Sequence, residues 1–211
     1  MRHELRGSFS HWRRGLPIFA LLITLTAYVL TFDNFHTILA QHQIFGSAQM
    51  SGTQLEQAIQ EHEIRTIINL RGDLPTAWYQ EECQVARRHE VEHHDFNFCS
   101  VMLPPRQDMI RLLHVLQSAP RPLLIHCQSG IDRTGLAAIT CILLLDENGS
   151  PAKARAHLSP WRGHLRWRKT VMLKERFLHR YETWLAMEEL THHPRHFSRW
   201  IHEDYEGAPF P

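Results

Sequence analysis

The chain has 211 residues, 43% of them apolar, and its 23 basic side chains are nearly balanced by 22 acidic ones. This composition is typical of a globular protein without a strong electrostatic field. It therefore gives no support to a nucleic acid as partner or to an acidic polymer as substrate.

The first distinctive feature is an apolar run that begins at Gly15, ends at Phe32 and contains no charged residue. At 1.5 Å per residue, a helix of this length is roughly 27 Å long, close to the hydrocarbon core of a bilayer. Four arginines precede the run and an aspartate follows it, so the positive-inside rule places the N-terminus in the cytoplasm. The sequence thus predicts a single-pass membrane protein with its folded domain outside the cytoplasm.

Two other interpretations of this run remain open. A cleaved signal peptide could end after Ala40, although the run is long for a signal core and Ile38 is not a small residue. An apolar helix buried in the folded domain is the second alternative. The preferred interpretation divides the chain into a cytoplasmic tail (residues 1–14), the transmembrane anchor, a polar tether (33–43) and one domain (44–211).

Alternating signals for helices and strands follow the tether. Thr53 and Glu56 match a capping box, which predicts the start of a helix. Residues 66–70 are a short β-branched run and are predicted as a strand. A second helix is predicted over residues 81–90 and a second strand over residues 91–98.

The second half of the chain continues this alternation. Apolar residues recur at i, i+3, i+4 and i+7 from Met109 to Leu116, which predicts an amphipathic helix over residues 106–118. Residues 123–125 are wholly apolar, as expected of a strand buried on both faces. Further helices are predicted over residues 134–146, 153–157 and 171–189. This order predicts an α/β fold, with helices flanking a mostly parallel central sheet.

The segment between the buried strand and the next helix reads HCQSGIDRTG, with Cys127 at the end of the strand and Arg133 at the start of the helix. The five residues between them are enough to curl the backbone. Consecutive N–H groups can then point at a phosphoryl group, with the positive end of the helix dipole behind them. Gly130 permits the backbone angles of such a curl, and Gly135 permits close packing of the helix. The residues predicted to bind phosphate, which form the predicted phosphate loop, are Gln128, Ser129, Gly130, Ile131, Asp132, Arg133 and Thr134.

Cys127 is suited to act as a nucleophile in this loop. N–H donors, the helix N-terminus and Arg133 all favour the thiolate, so we expect a lowered pKa for Cys127. Arg133 offers a planar fork that can bind two phosphoryl oxygens and stabilise the transition state. The hydroxyl of Thr134 can donate to the sulfur and help it to leave.

With His126 before the cysteine and Thr134 and Gly135 after the arginine, the segment resembles the signature of the cysteine-based protein tyrosine phosphatase superfamily. The resemblance extends weakly over residues 44–147 and is closest to the dual-specificity branch, including bacterial members that are exported across the inner membrane. Together with the apolar run, it implies a single-pass inner-membrane protein with its catalytic domain in the periplasm. It implies a phosphomonoesterase that forms a phosphocysteine on Cys127. No metal or other cofactor is expected, because the loop itself neutralises the phosphate.

The resemblance implies protein phosphotyrosine as the first substrate. A phosphorylated lipid or cell-envelope component is the second candidate substrate, because an Asp-Arg-Thr ending resembles the phosphate loops of some lipid and phosphoinositide phosphatases. The alternative from another class is a catalytically weak module that only binds a phosphorylated ligand.

The family mechanism also needs a general acid, usually an aspartate on a loop ahead of the catalytic strand. The corresponding loop, residues 99–107, contains no acid. Asp132 lies inside the phosphate loop, and Asp108 lies in a first helical turn, where aspartate is common for other reasons. Asp95 has a spacing from Cys127 that is common in dual-specificity enzymes. Asp132 and Asp108 are the preferred candidates.

The remaining cysteines give weaker signals. Cys83 and Cys99 could form one disulfide in an oxidising compartment or remain buried thiols. Cys141 lies in an apolar helical pattern and is expected in the core.

Three histidines near the C-terminus, His192, His193 and His196, have a spacing that could hold a metal ion on one helical face. No carboxylate or cysteine completes the set, and Pro194 is expected to interrupt a helix there. We therefore interpret them as surface histidines.

Overall fold

The computed structural model describes residues 34–160, 163–164 and 169–207. Its centre is a sheet of five strands, namely β1 (His36–Leu39), β2 (Ile44–Ser47), β3 (Thr66–Asn69), β4 (Glu92–Asp95) and β5 (Leu123–His126). The strand order is β1-β2-β5-β3-β4, in which β1 is antiparallel to β2 and all other neighbours are parallel. The predicted α/β fold with a mostly parallel sheet is confirmed.

Helices cover both faces of this sheet. They are α1 (Gly52–His62), α2 (Ala77–Arg88), α3 (Arg106–Ser118), α4 (Asp132–Leu145), α5 (Pro151–His157), α6 (Lys169–Met187) and α7 (Pro194–Glu203). Buried side chains of α1 and α2 form one core cluster, and those of α3 to α7 form the other. A short 3-10 turn, Ala40–His42, joins β1 to β2.

The central strands β3 and β5 are buried on both faces because alternate side chains enter the two clusters. Ile67 and Leu124 belong to the cluster of α1 and α2, whereas Ile68, Leu123 and Ile125 belong to the other. None of these five side chains is more than 1% exposed. The end of β5, where the phosphate loop begins, is therefore held from both sides.

The helices and strands predicted for residues 44–211 are all present. α3 has the predicted bounds, and most other ends differ by one or two residues; α2 and β4 differ by up to four. The capping box of α1 is formed by Ser51 and Gln54, not by Thr53 and Glu56, because the side chain of Ser51 accepts from the Gln54 N–H and the Gln54 side chain accepts from the Ser51 N–H.

Three elements were not predicted: β1, β2 and α7. Residues 33–43 were expected to be a tether, but β1 lies within them and joins the sheet, with Ile38 and Leu39 buried. Pro194 begins α7 instead of interrupting it, because the first helical position needs no N–H donor. His193 caps this helix by accepting from the Arg195 N–H at 3.1 Å.

In the described part of the chain, no helix is long and apolar enough to cross a membrane. This finding contradicts the prediction of a single-pass inner-membrane protein with a periplasmic catalytic domain. The apolar run that begins at Gly15 and ends at Phe32 lies outside the described residues.

All four cysteines lie in the described part of the chain, and none of them forms a disulfide. Cys99 is exposed and Cys83 is half-buried, so neither the bridge nor a pair of buried thiols is present. Cys141 is buried in the core, as predicted.

Candidate active site

The phosphate loop lies at the carboxyl edge of the sheet, between β5 and α4. β5 has β2 on one side and β3 on the other. The register places Ser47 and Asn69 opposite His126. Segments that follow β2 and β3 therefore lie beside the loop.

Gly130 lets the loop pass close to the end of β2. Its φ is +68°, in the left-handed region that favours glycine. A Cβ atom there would lie 2.7 Å from the Ala48 nitrogen and from the Ser47 carbonyl group. At Gly135, a Cβ atom would lie 2.5 Å from Cε1 of His164. Both glycines are needed at the positions where the sequence predicts them.

The carbonyl groups of the loop are held from outside. Nδ2 of Asn34 donates to the carbonyl oxygens of both Ser129 and Gly130, at 3.1 Å each. The N–H of Gln49 donates to the carbonyl of Gln128 at 3.3 Å. Within a trans peptide the N–H points away from the carbonyl, so these contacts turn N–H groups towards a ligand inside the loop. No motif in the sequence points to Asn34, which is 8% exposed.

Cys127 is 1% exposed. Burial alone would raise the pKa of its thiol. The hydroxyl and N–H of Thr134, the charge of Arg133 and the N–H of Ser129 outweigh burial, and the pKa falls below its ordinary value. The Thr134 hydroxyl is buried and has no nitrogen or oxygen partner within the described part of the chain, so it is available to the sulfur. This environment favours the nucleophilic thiolate.

Arg133 is held by the ends of two neighbouring segments. Its Nη1 donates to the carbonyl oxygens of Leu70 and Phe98, at 3.4 Å each. Its Nε is buried and has no hydrogen-bond partner among the described residues. The guanidinium group is thus oriented by long, weak contacts and keeps a donor for a phosphoryl oxygen.

A buried polar cluster supports the loop from below. Glu82 of α2 is 3% exposed and accepts from Gln49 at 2.7 Å, from His93 at 2.9 Å and from His126 at 3.2 Å. Burial alone would raise the pKa of Glu82, but the charge of His126 and these three hydrogen bonds hold it well below its usual range. The sequence marks Glu82 only as a helical residue.

The three candidate acids lie in different surroundings. Asp132 begins α4, and its Oδ1 lies 3.3 Å from Nζ of Lys174, a side chain that is 2% exposed. Asp108 is half-buried in the first turn of α3. Both carboxylate oxygens of Asp95 are engaged, one by Nδ2 of Asn69 and the other by the hydroxyl of Tyr79, at 2.7 Å each.

The sequence model of a family described as "Tyrosine phosphatase family" matches residues 32–151, more than half of the chain. The match includes the phosphate loop and the five strands. Comparison with curated protein sequences gives no significant match.

Several solved structures resemble the fold. The core catalytic domain of the PP-IP phosphatase SIW14 from S. cerevisiae has a TM-score of 0.56 and 18% identity, over 75% of this chain and 94% of that domain. PTPMT1 has a TM-score of 0.54 and 15% identity, over 72% of this chain and 99% of the PTPMT1 chain. TpbA from P. aeruginosa has a TM-score of 0.54 and 18% identity, over 72% of this chain and 91% of the TpbA chain.

Proposed function

The chain belongs to the tyrosine phosphatase family and is a cysteine-dependent phosphatase, and we propose that it hydrolyses phosphomonoesters through a phosphocysteine intermediate on Cys127. One observation carries this proposal: Cys127 has a lowered pKa inside a loop whose carbonyl groups are anchored from outside. Arg133 completes the site as the phosphate clamp.

In the first step, the sulfur of Cys127 attacks phosphorus while the bond to the leaving oxygen breaks. Inward N–H groups and the fork of Arg133 stabilise the charge on the equatorial oxygens. In the second step, water attacks the phosphocysteine and the thiolate leaves, helped by the hydroxyl of Thr134. The products are the free alcohol and inorganic phosphate.

Asp132 is the general acid in this proposal, and it activates the water in the second step. It is the candidate that lies in the phosphate loop itself, directly before Arg133. Lys174 fixes the position of its carboxylate, while 12% of the Asp132 side chain stays exposed for proton exchange. Asp95 is engaged at both oxygens, which leaves Asp108 as the competing residue.

Phosphotyrosine in a protein is the first substrate to consider, since a TpbA variant is described in complex with pTyr. A phosphorylated lipid or envelope component is the second, since PTPMT1 is described in complex with PI(5)P. Leu74, Val101 and Met102 favour the second, because each is at least 40% exposed. They follow Leu70 and Phe98, the two residues that hold Arg133. Exposed apolar side chains in the segments that follow Leu70 and Phe98 suit a phosphate ester with an apolar moiety.

Steady-state hydrolysis of an aryl phosphate by the full chain, under reducing conditions, tests the proposed reaction. We expect turnover that falls by more than about 1,000-fold in Cys127→Ser. Cys99→Ser is the matched control, because it makes the same change at an exposed cysteine outside the phosphate loop. Substantial activity in Cys127→Ser would exclude Cys127 as the nucleophile. Phosphate binding without turnover would favour the binding module instead.

A further inference from the structure

Arg71 directly follows a residue that holds the catalytic arginine. Asn69 at the end of β3 pairs with His126 at the end of β5. The next residue, Leu70, donates its N–H to the carbonyl of His126 at 3.0 Å and accepts from Arg133 through its own carbonyl. Because β3 and β5 run parallel, Arg71 leaves the sheet beside the phosphate loop.

The guanidinium group of Arg71 is fixed in place. Its Cζ lies 3.8 Å from the centre of the Trp78 ring, a stacking contact that suits arginine. Its Nη1 donates to Oε1 of Gln49 at 3.1 Å. Gln49 is itself held, since its amide nitrogen donates to Glu82 at 2.7 Å and its N–H donates to the carbonyl of Gln128. Gln49 thus links the guanidinium group of Arg71 to the phosphate loop.

Within the described part of the chain, neither Arg71 nor Arg133 forms an ion pair with a carboxylate. The buried carboxylate of Glu82 pairs with His93 and His126 instead. Burial and the charge of Arg133 lower the pKa of Arg71, and the charges of Cys127 and Glu82 only partly oppose this effect. Two neighbouring guanidinium groups without ion-pair partners favour the binding of a further anion between them.

We propose that Arg71 forms a second anion subsite, which binds a phosphoryl group next to the one held in the phosphate loop. The preferred substrates are then phosphate esters with two neighbouring phosphoryl groups, joined as a diphosphate or carried on adjacent carbon atoms. A planar, fixed guanidinium group is well suited to bind phosphate through two parallel hydrogen bonds. The inference rests on the proposed function, because the loop must hold the first phosphoryl group.

Calorimetric binding to the full chain carrying Cys127→Ser tests the subsite without turnover. The probes are inorganic phosphate, inorganic pyrophosphate and a polyol bisphosphate with its phosphates on neighbouring carbons. We expect Arg71→Gln to lower the affinity ratio of a two-phosphoryl probe to phosphate by about 10- to 100-fold, as for the loss of a charge-assisted contact. The probe with the larger loss identifies which of the two arrangements the subsite accepts.

Arg65→Gln is the matched control, because Arg65 is exposed and precedes the same strand at its opposite end. It should leave both ratios unchanged. Equal ratios in the Arg71→Gln and Arg65→Gln proteins for both two-phosphoryl probes would overturn the second subsite while leaving the phosphatase intact. Failure of phosphate itself to bind would instead refute the phosphate loop, and with it the proposed function and this inference.

Discussion

Glu82 and His126 form a buried pair directly before Cys127, with a carboxylate oxygen 3.2 Å from Nε2 of the imidazole and both side chains 3% exposed. The pair joins α2 to the last residue of β5. A buried carboxylate is tolerated only when it is paired and hydrogen-bonded, and His93 and Gln49 supply the further hydrogen bonds here.

Glu82→Gln should destabilise the fold by about 3 kcal/mol near neutral pH, the order expected when one partner of a buried pair is removed. Because the folded-state pKa of Glu82 lies below its unfolded value, its contribution is full above the unfolded pKa and is lost as the pH falls towards the folded one. The difference between wild type and variant should therefore shrink in acid. Urea unfolding at several pH values measures this difference in the free energy of unfolding.

Glu56→Gln is the control for this experiment, because Glu56 pairs with Arg88 and His89 at the surface. Glu56→Gln should lower the free energy of unfolding much less than Glu82→Gln does. A stability difference for Glu82→Gln that stays constant from neutral pH into acid would show that the carboxylate charge is not what stabilises the pair.

Asp132→Asn should reduce hydrolysis of an alkyl phosphate by about 100-fold or more, because a poor leaving group needs the proton that the aspartate supplies. An aryl phosphate should be affected much less. Rates over a series of leaving groups provide the measurement, with Asp108→Asn as the comparison. If Asp108→Asn shows the leaving-group dependence and Asp132→Asn does not, the acid is Asp108.

Asn34→Gly should lower kcat/KM for an aryl phosphate by about 10-fold or more, because two loop carbonyls lose their donor. Glycine is the suitable replacement, since Asn34 has a φ of 50° and glycine adopts that angle without strain. Weaker inhibition by inorganic phosphate should accompany the loss if the amide orients the loop.

Gln43→Gly is the control for Asn34→Gly, because Gln43 has the same φ of 50° and an exposed side chain. Its activity should stay close to that of the wild type. A similar loss of activity in both variants would attribute the effect to backbone flexibility next to β1 and β2, not to the amide of Asn34.

The candidate nucleophile Cys127 and the candidate phosphate clamp Arg133 could be proposed from the sequence because their signals are local. An apolar strand, a Cys and an Arg at fixed spacing, and a helical pattern follow one another within residues 123–146. Local interactions also determine α3, whose apolar repeat gives its bounds directly.

The residues that support the loop could not be predicted because they reach it from distant parts of the chain. Asn34 is 95 residues from Ser129, Glu82 is 44 from His126, and Lys174 is 42 from Asp132. Each of them is an ordinary polar residue in its local sequence, and only the fold brings it to the loop.

The two N-terminal strands were missed for a related reason. β1 (HTIL) and β2 (IFGS) have two large apolar residues each, fewer than the three that marked residues 66–70 and β5 as strands. Their position in the sheet depends on pairing with β5, which lies far along the sequence.

Rapid quenching of aryl phosphate turnover, followed by mass spectrometry of the peptides, tests the central claim most directly. We expect one phosphoryl group on the peptide that contains Cys127, formed and lost at rates that account for turnover, and none in the Cys127→Ser protein. Turnover without a phosphorylated Cys127, or with the phosphoryl group on another residue, would contradict the phosphocysteine mechanism.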